Sequence, residues 1–249
     1  MLTKNTIKRI SSLQTKKFRK EQGFFIAEGS KLIDELLNSN LEIKEVYHTS
    51  EWKCTNFNRN IYSELISNDE MKKISTLTTP SQVFAVIGIP EYNLGDIDFA
   101  NELVLALDTI QDPGNLGTIV RLADWFGINS IICSHDTVDI FSPKVVQASM
   151  GAITRVKVLY CDLKEELTRI KNIVPIYGTF MEGSNIYKTE LKSKGVVVMG
   201  NEGNGISPEI EILVSHKIHI PSFAKDRTNV ESLNVAMATA IVCSEIQRR

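Results

Sequence analysis

The stretch from Gly195 to Ser207 places the strongest constraint on how this chain folds. Residues 196–199 are three valines and a methionine, and the six residues after them include three glycines and two asparagines. The apolar run predicts a buried parallel strand, and glycine and asparagine tolerate the backbone that tight turns require. Open α/β sheets bind ligands beyond the carboxyl ends of their strands. This loop, which carries Glu202, is therefore either a ligand-binding loop or an ordinary turn.

Helices and strands alternate along the rest of the chain, which predicts an α/β fold. A chain of 249 residues has room for one or two domains. Residues 1–90 are expected to form a small α/β domain and residues 102–249 a second one. Residues 91–101 are expected to link them, because glycine, asparagine and three acids make this segment poor in order-forming signals.

Helix predictions follow from periodicity and capping residues. One helix is predicted over residues 2–20, with Gly23 as its break, and another over residues 31–37, with Ser30 as its N-cap. A loop at 111–117 is followed by a helix that runs to Phe126. The last helix extends from about Ser232 to Ile246. The last helix is apolar on most sides, so it is expected to be buried, with another subunit as one candidate cover.

The composition argues against a membrane protein and against a metal site. With 43% hydrophobic and 23% charged residues the chain is typical of globular proteins, and no apolar run approaches the roughly 20 residues that span a bilayer. The N-terminus lacks a signal-peptide apolar region, which predicts a cytoplasmic protein. The cysteines are Cys54, Cys133, Cys161 and Cys243. Their wide spacing predicts reduced core thiols and no metal.

Positive charge is concentrated at the start of the chain, although the net charge is only −2. Residues 1–90 hold 13 Lys and Arg against 10 Asp and Glu, whereas residues 91–249 hold 15 against 20. The cations that precede the first acid, Glu21, are Lys4, Lys8, Arg9, Lys16, Lys17, Arg19 and Lys20. Such a cluster binds nucleic-acid phosphates through electrostatics and counterion release, or it is an ordinary solvated helix face.

The predicted helix around Arg121 has two distinct faces. At about 100° per residue its apolar side chains fall on one side, and Arg121 points away from them beside Thr118 and Trp125. A tryptophan on the outer face indicates that a second subunit or a ligand covers it. Ser232 and Asn234 stand at the start of the last helix, where N-capping is the commonest use of such residues. Three polar loops that each follow a strand are expected to converge at one sheet edge.

Three segments of the chain resemble the motifs of the SpoU (TrmH-type) RNA ribose methyltransferases of the SPOUT superfamily. They are Asn115–Arg121, with the pattern N-x-G-x-x-x-R, then Gly200–Ile206, and then Ile220–Pro221 together with Glu231–Ala236. The front half is more loosely similar to the small ribosomal-protein-like RNA-binding domain that often precedes this catalytic domain. That similarity lies at Phe25–Gly29 and Thr79–Val83.

The resemblance implies a trefoil-knotted α/β domain that works as a homodimer, binds S-adenosylmethionine and transfers its methyl group to a ribose 2′-hydroxyl of ribosomal or transfer RNA, with ribosomal RNA favoured. It places Arg121 at the 2′-hydroxyl or its adjacent phosphate. Because arginine stays protonated in proteins, we expect it to position the substrate and stabilise developing alkoxide charge.

The resemblance also assigns residues to roles. The other catalytic candidates are Asn115, Glu202, Ser232 and Asn234. The cofactor-binding candidates are Thr179, Met199, Gly200, Asn201, Gly205, Ile220 and Leu233, where glycine would let the backbone approach the ligand. The RNA-binding candidates are Lys8, Arg9, Lys16, Lys17, Arg19 and Lys20 from the basic cluster, with Glu28 from the front-half similarity.

Two alternative functions stay open, and one loop of the chain departs from the family pattern. A non-catalytic RNA-binding relative would keep the fold, although the joint presence of Arg121, Asn115, Glu202 and Asn234 speaks against it. A dinucleotide-binding dehydrogenase is disfavoured because no G-x-G-x-x-G follows the first strands. The loop at residues 222–229 is longer and more basic than in many relatives. The RNA substrate of the family is therefore harder to assign to this chain than its cofactor.

Overall fold

A computed structural model describes residues 1–53, 61–224 and 232–248. The described chain forms two compact units. The first comprises Met1–Glu91 and Asp139–Arg155, and the second comprises Tyr92–Val138 and Val156–Arg249. The predicted thiol of Cys54 and most of the 222–229 loop lie outside the described residues.

The strands and helices alternate, as predicted. The strands are β1 Phe24–Glu28, β2 Ile43–His48, β3 Tyr62–Leu65, β4 Val83–Gly88, β5 Leu103–Leu107, β6 Ser130–Cys133, β7 Lys157–Tyr160, β8 Ile176–Asn185, β9 Gly195–Met199 and β10 His216–His219. The helices are α1 Lys4–Ser12, α2 Lys16–Gln22, α3 Ser30–Leu37, α4 Asn68–Ile74, α5 Pro113–Trp125, α6 Pro143–Ser149, α7 Leu163–Ile170, α8 Pro208–Glu211 and α9 Val235–Gln247.

Four strands in the described part of the first unit form a sheet in the order β1-β4-β2-β3. β4 pairs antiparallel with β1 and with β2, whereas β3 joins β2 in parallel. Ile10, Leu13 and Phe84 are fully buried in the core of this unit. Burial of such side chains against the sheet is the main force that holds the helices in place.

The prediction of one helix over residues 2–20 is wrong, because the chain breaks between α1 and α2. From Leu13 to Thr15 the backbone bonds tighten to the i−3 type, which commonly ends an α-helix. Leu13 is fully buried, and its carbonyl oxygen accepts from Nη1 of Arg19 at 2.8 Å. The break is therefore fixed by a contact that periodicity does not reveal. Gly23, with φ +72°, ends α2.

The predicted N-cap of α3 is also wrong. Gly29, with φ +106°, is the N-cap, and Ser30 is the first helical residue without a side-chain cap bond. In contrast, α4 begins with a capping box between Ser67 and Glu70.

Six strands among the described residues of the second unit form a sheet in the order β10-β8-β9-β5-β6-β7, and every pair is parallel. All residues of β5 and β9 are buried, as their continuous apolar sequences predict. The α/β class is confirmed, whereas the trefoil knot stays a prediction.

From β5, the strands β6 and β7 extend the sheet towards one edge. The strands β9 and β10 lie towards the opposite edge. The neighbours β5 and β9 therefore flank a topological switch point, where open parallel sheets bind ligands.

Helix α5 begins earlier than predicted. Asp112 is the N-cap, its side chain accepts from the backbone N–H of Asn115 at 2.8 Å, and Pro113 occupies the first turn. This is a favourable helix start, so Asn115 lies on the first helical turn rather than in a loop. The predicted end is confirmed by Gly127 with φ +69°. Helix α9 packs against α5 and begins three residues later than predicted, because Asn234 is its N-cap.

Part of the segment between the predicted domains packs into the second unit. Leu94–Asp96 form a single 3₁₀ turn. Ile97 and Phe99 are buried in the same core cluster as Val104 of β5. Their burial attaches this end of the segment to the parallel sheet.

Candidate active site

The loop after β9 is closed on itself by hydrogen bonds. The backbone N–H of Asn201 donates to the carbonyl oxygen of Gly205, and the N–H of Gly205 donates back to the carbonyl of Asn201, each at 2.9 Å. The side-chain oxygen of Asn201 accepts from the backbone N–H groups of Gly203 at 2.9 Å and Asn204 at 3.0 Å. The loop is therefore a preformed structure and not an open coil.

Gly200 is required by this loop itself. A Cβ atom at Gly200 would lie 2.2 Å from the carbonyl carbon of Gly205 and 2.3 Å from the backbone nitrogen of Ile206. Gly205 has φ +71°, a backbone conformation that glycine adopts most easily. The sequence analysis predicts that Gly200, without a side chain, lets a ligand approach the backbone. In the structure, the space beside Gly200 is occupied by the loop's own backbone.

The loop is anchored to the end of β5 by two residues that the sequence analysis did not select, Asp108 and Thr109. Oδ2 of the buried Asp108 accepts from the backbone N–H of Ser207 at 2.7 Å. The carbonyl oxygen of Thr109 accepts from Nδ2 of Asn201 at 2.7 Å, and Thr109 itself has φ +60°. An acid directly after a buried parallel strand is the signal that identifies such a residue. These bonds join the two loops that flank the switch point.

A chain of side-chain hydrogen bonds joins the three sequence motifs. Nδ2 of Asn234 donates to Oδ1 of Asn115 at 2.8 Å, and Nδ2 of Asn115 donates to Oε1 of Glu202 at 2.8 Å. The side-chain oxygen of Asn234 also caps α9 by accepting from the N–H groups of Ala236 and Met237. The structure therefore brings together Asn115, Glu202 and Asn234, as predicted, within one copy of the chain.

Arg121 lies on the outer face of α5, apart from that chain of bonds. Its side chain is exposed and makes no hydrogen bond or ion pair with the part of the chain that the structure describes. Trp125, one turn further along, is 83% exposed, and on α9 Met237 is 62% exposed. The packed helices α5 and α9 thus carry exposed apolar side chains, together with a cation that has no partner among the described residues.

The cofactor-binding candidates fall into two groups. Oγ1 of Thr179 donates to the carbonyl oxygen of Val198 at 3.2 Å and lies 3.7 Å from the sulfur of Met199. Thr179 therefore contacts the strand end that leads into Gly200, Asn201 and Gly205. Ile220 follows the carboxyl end of β10, and Leu233 precedes Asn234 and is 52% exposed.

Ser232 precedes α9, and His219 is the last residue of β10. Ser232 is exposed and makes no side-chain hydrogen bond with the described residues. Nδ1 of His219, the residue before Ile220, is buried and has no partner among the described residues. This edge of the sheet therefore retains an unmet polar atom.

Two of the predicted RNA-binding residues are buried in the first unit. Arg19 is 3% exposed and donates from Nε and Nη2 to Oδ2 of Asp139 at 3.0 and 2.6 Å. Glu28 is also 3% exposed, and its carboxylate accepts from the backbone and hydroxyl of Thr76 and the hydroxyl of Ser75. Both side chains are committed to internal contacts, so they are removed from the RNA-binding set.

The remaining cations are accessible to different degrees. Arg9 is partly buried and paired with Glu45 at 2.6 Å. The exposed residues are Lys8, Lys16, Lys17 and Lys20. Lys16, Lys17 and Lys20 all lie on α2, so the basic surface that RNA phosphates could reach is centred on this helix.

The described cysteines are buried thiols outside the site. Burial raises the pKa of Cys161 to about 11 and that of Cys243 to about 12, and it raises the pKa of Cys133 further. These thiols are therefore protonated at neutral pH. Across the described ranges no group of His, Cys, Asp and Glu is arranged to hold a metal ion, and no helix there is both long and apolar enough to cross a bilayer.

The chain is similar to known proteins over both of its halves. The SpoU rRNA Methylase family profile matches residues 102–244, and the MRM3-like substrate binding domain profile matches residues 4–85. The chain is 30% identical over 239 residues to 23S rRNA (guanosine(2553)-2′-O)-methyltransferase RlmP of Bacillus subtilis, covering 95% of this chain and 93% of that protein.

Two solved structures are also similar to this chain over nearly their whole length. A TrmH-family protein from Porphyromonas gingivalis is 37% identical with a TM-score of 0.90, and the match covers 100% of this chain and 99% of that one. The AdoMet-bound rRNA methyltransferase from Sinorhizobium meliloti is 30% identical with a TM-score of 0.84, and the match covers 100% of this chain and 96% of that one.

Proposed function

The chain belongs to the SpoU rRNA methylase family, and from this premise we propose that it transfers a methyl group to a ribose 2′-hydroxyl of ribosomal RNA. It is a methyltransferase that uses S-adenosylmethionine. The observation that carries the proposal is the bonded chain Asn234–Asn115–Glu202, because it joins all three family motifs at the switch point of the sheet. A relative that had lost catalysis would be under no requirement to keep this connection.

The edge of the sheet suits S-adenosylmethionine in its chemistry. It offers backbone groups after β9, apolar side chains at Ile220 and Leu233, and Nδ1 of His219, which has no partner among the described residues. A cofactor with an adenine ring, a ribose and a methionine end needs this mixture of apolar surface and hydrogen-bonding groups. We assign its binding to Thr179, Met199, Gly200, Asn201, Gly205, Ile220 and Leu233. The bound cofactor supplies an electrophilic methyl group on a sulfonium.

Arg121 is the residue that we assign to the RNA at the reacting ribose. Its guanidinium has no competing partner among the described residues, so it is available to a phosphate or to a developing alkoxide. It stays protonated and donates hydrogen bonds, which fits charge stabilisation and not proton removal. Ser232 precedes Asn234 by two residues. Asp112 caps α5 and Asn234 caps α9, and the hydrogen bond from Asn234 to Asn115 joins the two helix starts. These contacts hold the helix that carries Arg121 at a constant position.

We further propose that the enzyme is a homodimer formed through the outer face of α5 and α9. Trp125 of α5 and Met237 of α9 expose most of their side chains, and large apolar side chains left exposed on packed helices mark interaction surfaces. A two-fold interface uses the same patch on both copies. In such a dimer Arg121, on the same face as Trp125, would face the partner copy.

The dimer is tested with Trp125→Glu, which places a charge in the proposed interface. We expect sedimentation to show a folded monomer. Ile173→Glu is the matched control, since Ile173 is also exposed, at 63%, but precedes the amino end of β8. A Trp125→Glu protein that sediments with the wild type as a dimer would contradict the proposed interface.

We assign RNA binding to residues 1–90 and methyl transfer to residues 102–249, joined by 91–101, and we place the activity in the cytoplasm. The exposed lysines of α2 support this division, because phosphate contacts supply most of the affinity for nucleic acid. The loop at 222–224 is exposed.

The function is tested by methyl transfer from labelled S-adenosylmethionine to unmodified 23S rRNA, followed by mapping of the ribose methylation. We expect one modified 2′-position. Arg121→Ala is expected to lower kcat by about 10²–10³-fold, the usual cost of a lost charge-stabilising donor, with unchanged cofactor affinity in calorimetry. Arg169→Ala, which removes an exposed arginine of α7, serves as control. Cofactor binding without methylation of any RNA would favour the non-catalytic relative.

A further inference from the structure

Two exposed aromatic side chains lie at the same edge of the sheet as the proposed cofactor site. The rings of Tyr187 and Phe223 have centroids 6.5 Å apart and planes tilted by 30°. Tyr187 is 42% exposed and Phe223 is 81% exposed. We propose that this pair is a platform on which an unpaired nucleobase of the RNA substrate stacks. The inference rests on the proposed function and adds a binding contact to it.

The topology places this platform next to the site. β8 and β10 are parallel neighbours, so their carboxyl ends reach the same sheet edge. Tyr187 comes two residues after the end of β8, and Phe223 comes three residues after Ile220. A base held here would therefore belong to an RNA strand that passes the cofactor edge.

The backbone under Tyr187 is firmly held. The side chain of Ile186 is fully buried, and its N–H donates to the carbonyl oxygen of His219 at 3.0 Å. The side-chain oxygen of Asn185 accepts from the N–H of Tyr187 at 2.9 Å, and its carbonyl oxygen accepts from the N–H of Lys188 at 2.9 Å. With its neighbour anchored inward, Tyr187 presents its ring to solvent at little further cost in entropy.

The distance between the two rings suits a stack of bases. A centroid separation of 6.5 Å is near the wide end of the roughly 4.5–7 Å range for aromatic pairs. It is also close to the roughly 7 Å between two bases that flank a third in a stack. Aromatic faces are the usual platform for single-stranded bases, since every base has a π-face.

The charge beside the pair favours nucleic acid over a second copy of the chain. Lys188 directly follows Tyr187, is exposed and forms no ion pair with any described residue. It can meet the phosphate of a base that stacks on the pair. The apolar face that we assign to the dimer lies on α5 and α9, which are different elements from β8 and β10.

Stacking is tested with a short oligoadenylate and an abasic oligomer of the same backbone and length. The wild type is expected to bind the base-bearing oligomer about 5–150-fold more tightly per stacked base. Tyr187→Leu and Phe223→Leu keep an apolar side chain but remove the ring, so they should lose most of this preference. Tyr187→Phe and Phe223→Tyr should keep it, as should the control Ile173→Ala. A Leu variant with the full wild-type preference overturns the proposal.

Methylation kinetics separate this inference from the proposed function. With 23S rRNA as the probe, the Leu variants should raise KM by a similar factor at unchanged kcat and unchanged affinity for S-adenosylmethionine. If the wild type methylates the RNA and the Leu variants keep its KM, the platform is wrong and the function stands. If the wild type shows the base preference but methylates no RNA, the function is wrong and the platform stands. A change of oligomeric state in the Leu variants would assign the pair to an interface between copies and overturn the proposal.

Discussion

The amide of Asn115 donates to the carboxylate of Glu202 at 2.8 Å, although 87 residues separate them. On its other side Asn115 accepts from Asn234, so one neutral side chain satisfies partners on two other motifs. Aspartate in place of Asn115 would keep the shape but could not donate to Glu202 when ionised. The contact therefore depends on an amide, and a pH experiment can test it.

We expect Asn115→Asp to make methyl transfer strongly pH-dependent. Two carboxylates within hydrogen-bond distance repel when both are ionised, so one of them takes up a proton at a raised pKa. At pH 8 the variant should lose about 10-fold or more of the wild-type rate, which corresponds to the loss of one hydrogen bond to a charged group. The ratio of variant to wild-type rate should rise as the pH falls, because a protonated carboxyl restores the bond.

The matched control is Asn204→Asp, which adds the same charge at an exposed position of the loop after β9. Its rate should track the wild type across the pH range. Parallel pH profiles for Asn115→Asp and the wild type would show that the contact with Glu202 has no part in the reaction.

Gly200 and Gly203 offer a paired test of the preformed loop. Alanine at Gly200 would place its Cβ 2.2 Å from Gly205, whereas alanine at Gly203 would meet only the side-chain oxygen of Asn201 at 3.6 Å. Gly200→Ala should lower the free energy of unfolding by about 1–3 kcal/mol and weaken the binding of S-adenosylmethionine at least about 10-fold. Gly203→Ala should be close to wild type in both. Thermal unfolding and calorimetry measure the two effects, and equal behaviour of the two variants would refute this account.

The sequence was sufficient to predict the buried strand β9 and to identify the three motifs. A strand buried on both faces, such as β9, is written as a continuous apolar run, and glycine-rich loops are visible directly. The position of Asn115 was not accessible, because Gly114 and Gly117 suggested a loop while Asp112 and Pro113 start a helix. Side-chain partners were also not accessible. The burial of Arg19 depends on its pairing with Asp139. Asp139 is 120 residues away in the sequence and comes close to Arg19 only when the chain folds.

Glu70 provides a stability test that is independent of the site. Its carboxylate accepts from the backbone of Ser67 and of Leu2 and from the hydroxyl of Ser67, which lowers its pKa from 4.5 to about 2. A carboxylate whose pKa is depressed by folding stabilises the protein above its unfolded pKa, and this contribution is lost as the pH falls through the folded pKa. Glu70→Gln should therefore be less stable than the wild type above about pH 4.5, and the difference should vanish near pH 2. Denaturant unfolding at several pH values measures it. Removing the hydroxyl with Ser67→Ala should shrink the difference, and a difference that is constant with pH would contradict the assignment.

Exposed and buried cations of α2 should affect RNA binding in different ways. Lys16, Lys17 and Lys20 are exposed, so their joint replacement by glutamine should weaken binding to 23S rRNA and reduce the slope of log affinity against log salt by about 0.7–0.9 for each lost phosphate contact. Arg19→Gln breaks a buried pair with Asp139 and should cost about 3–5 kcal/mol of stability. Below its melting temperature this variant should keep the wild-type salt slope, because its guanidinium never reaches the RNA. Filter binding at several salt concentrations, together with thermal unfolding, separates the two effects. A reduced slope for folded Arg19→Gln would return Arg19 to the RNA-binding surface.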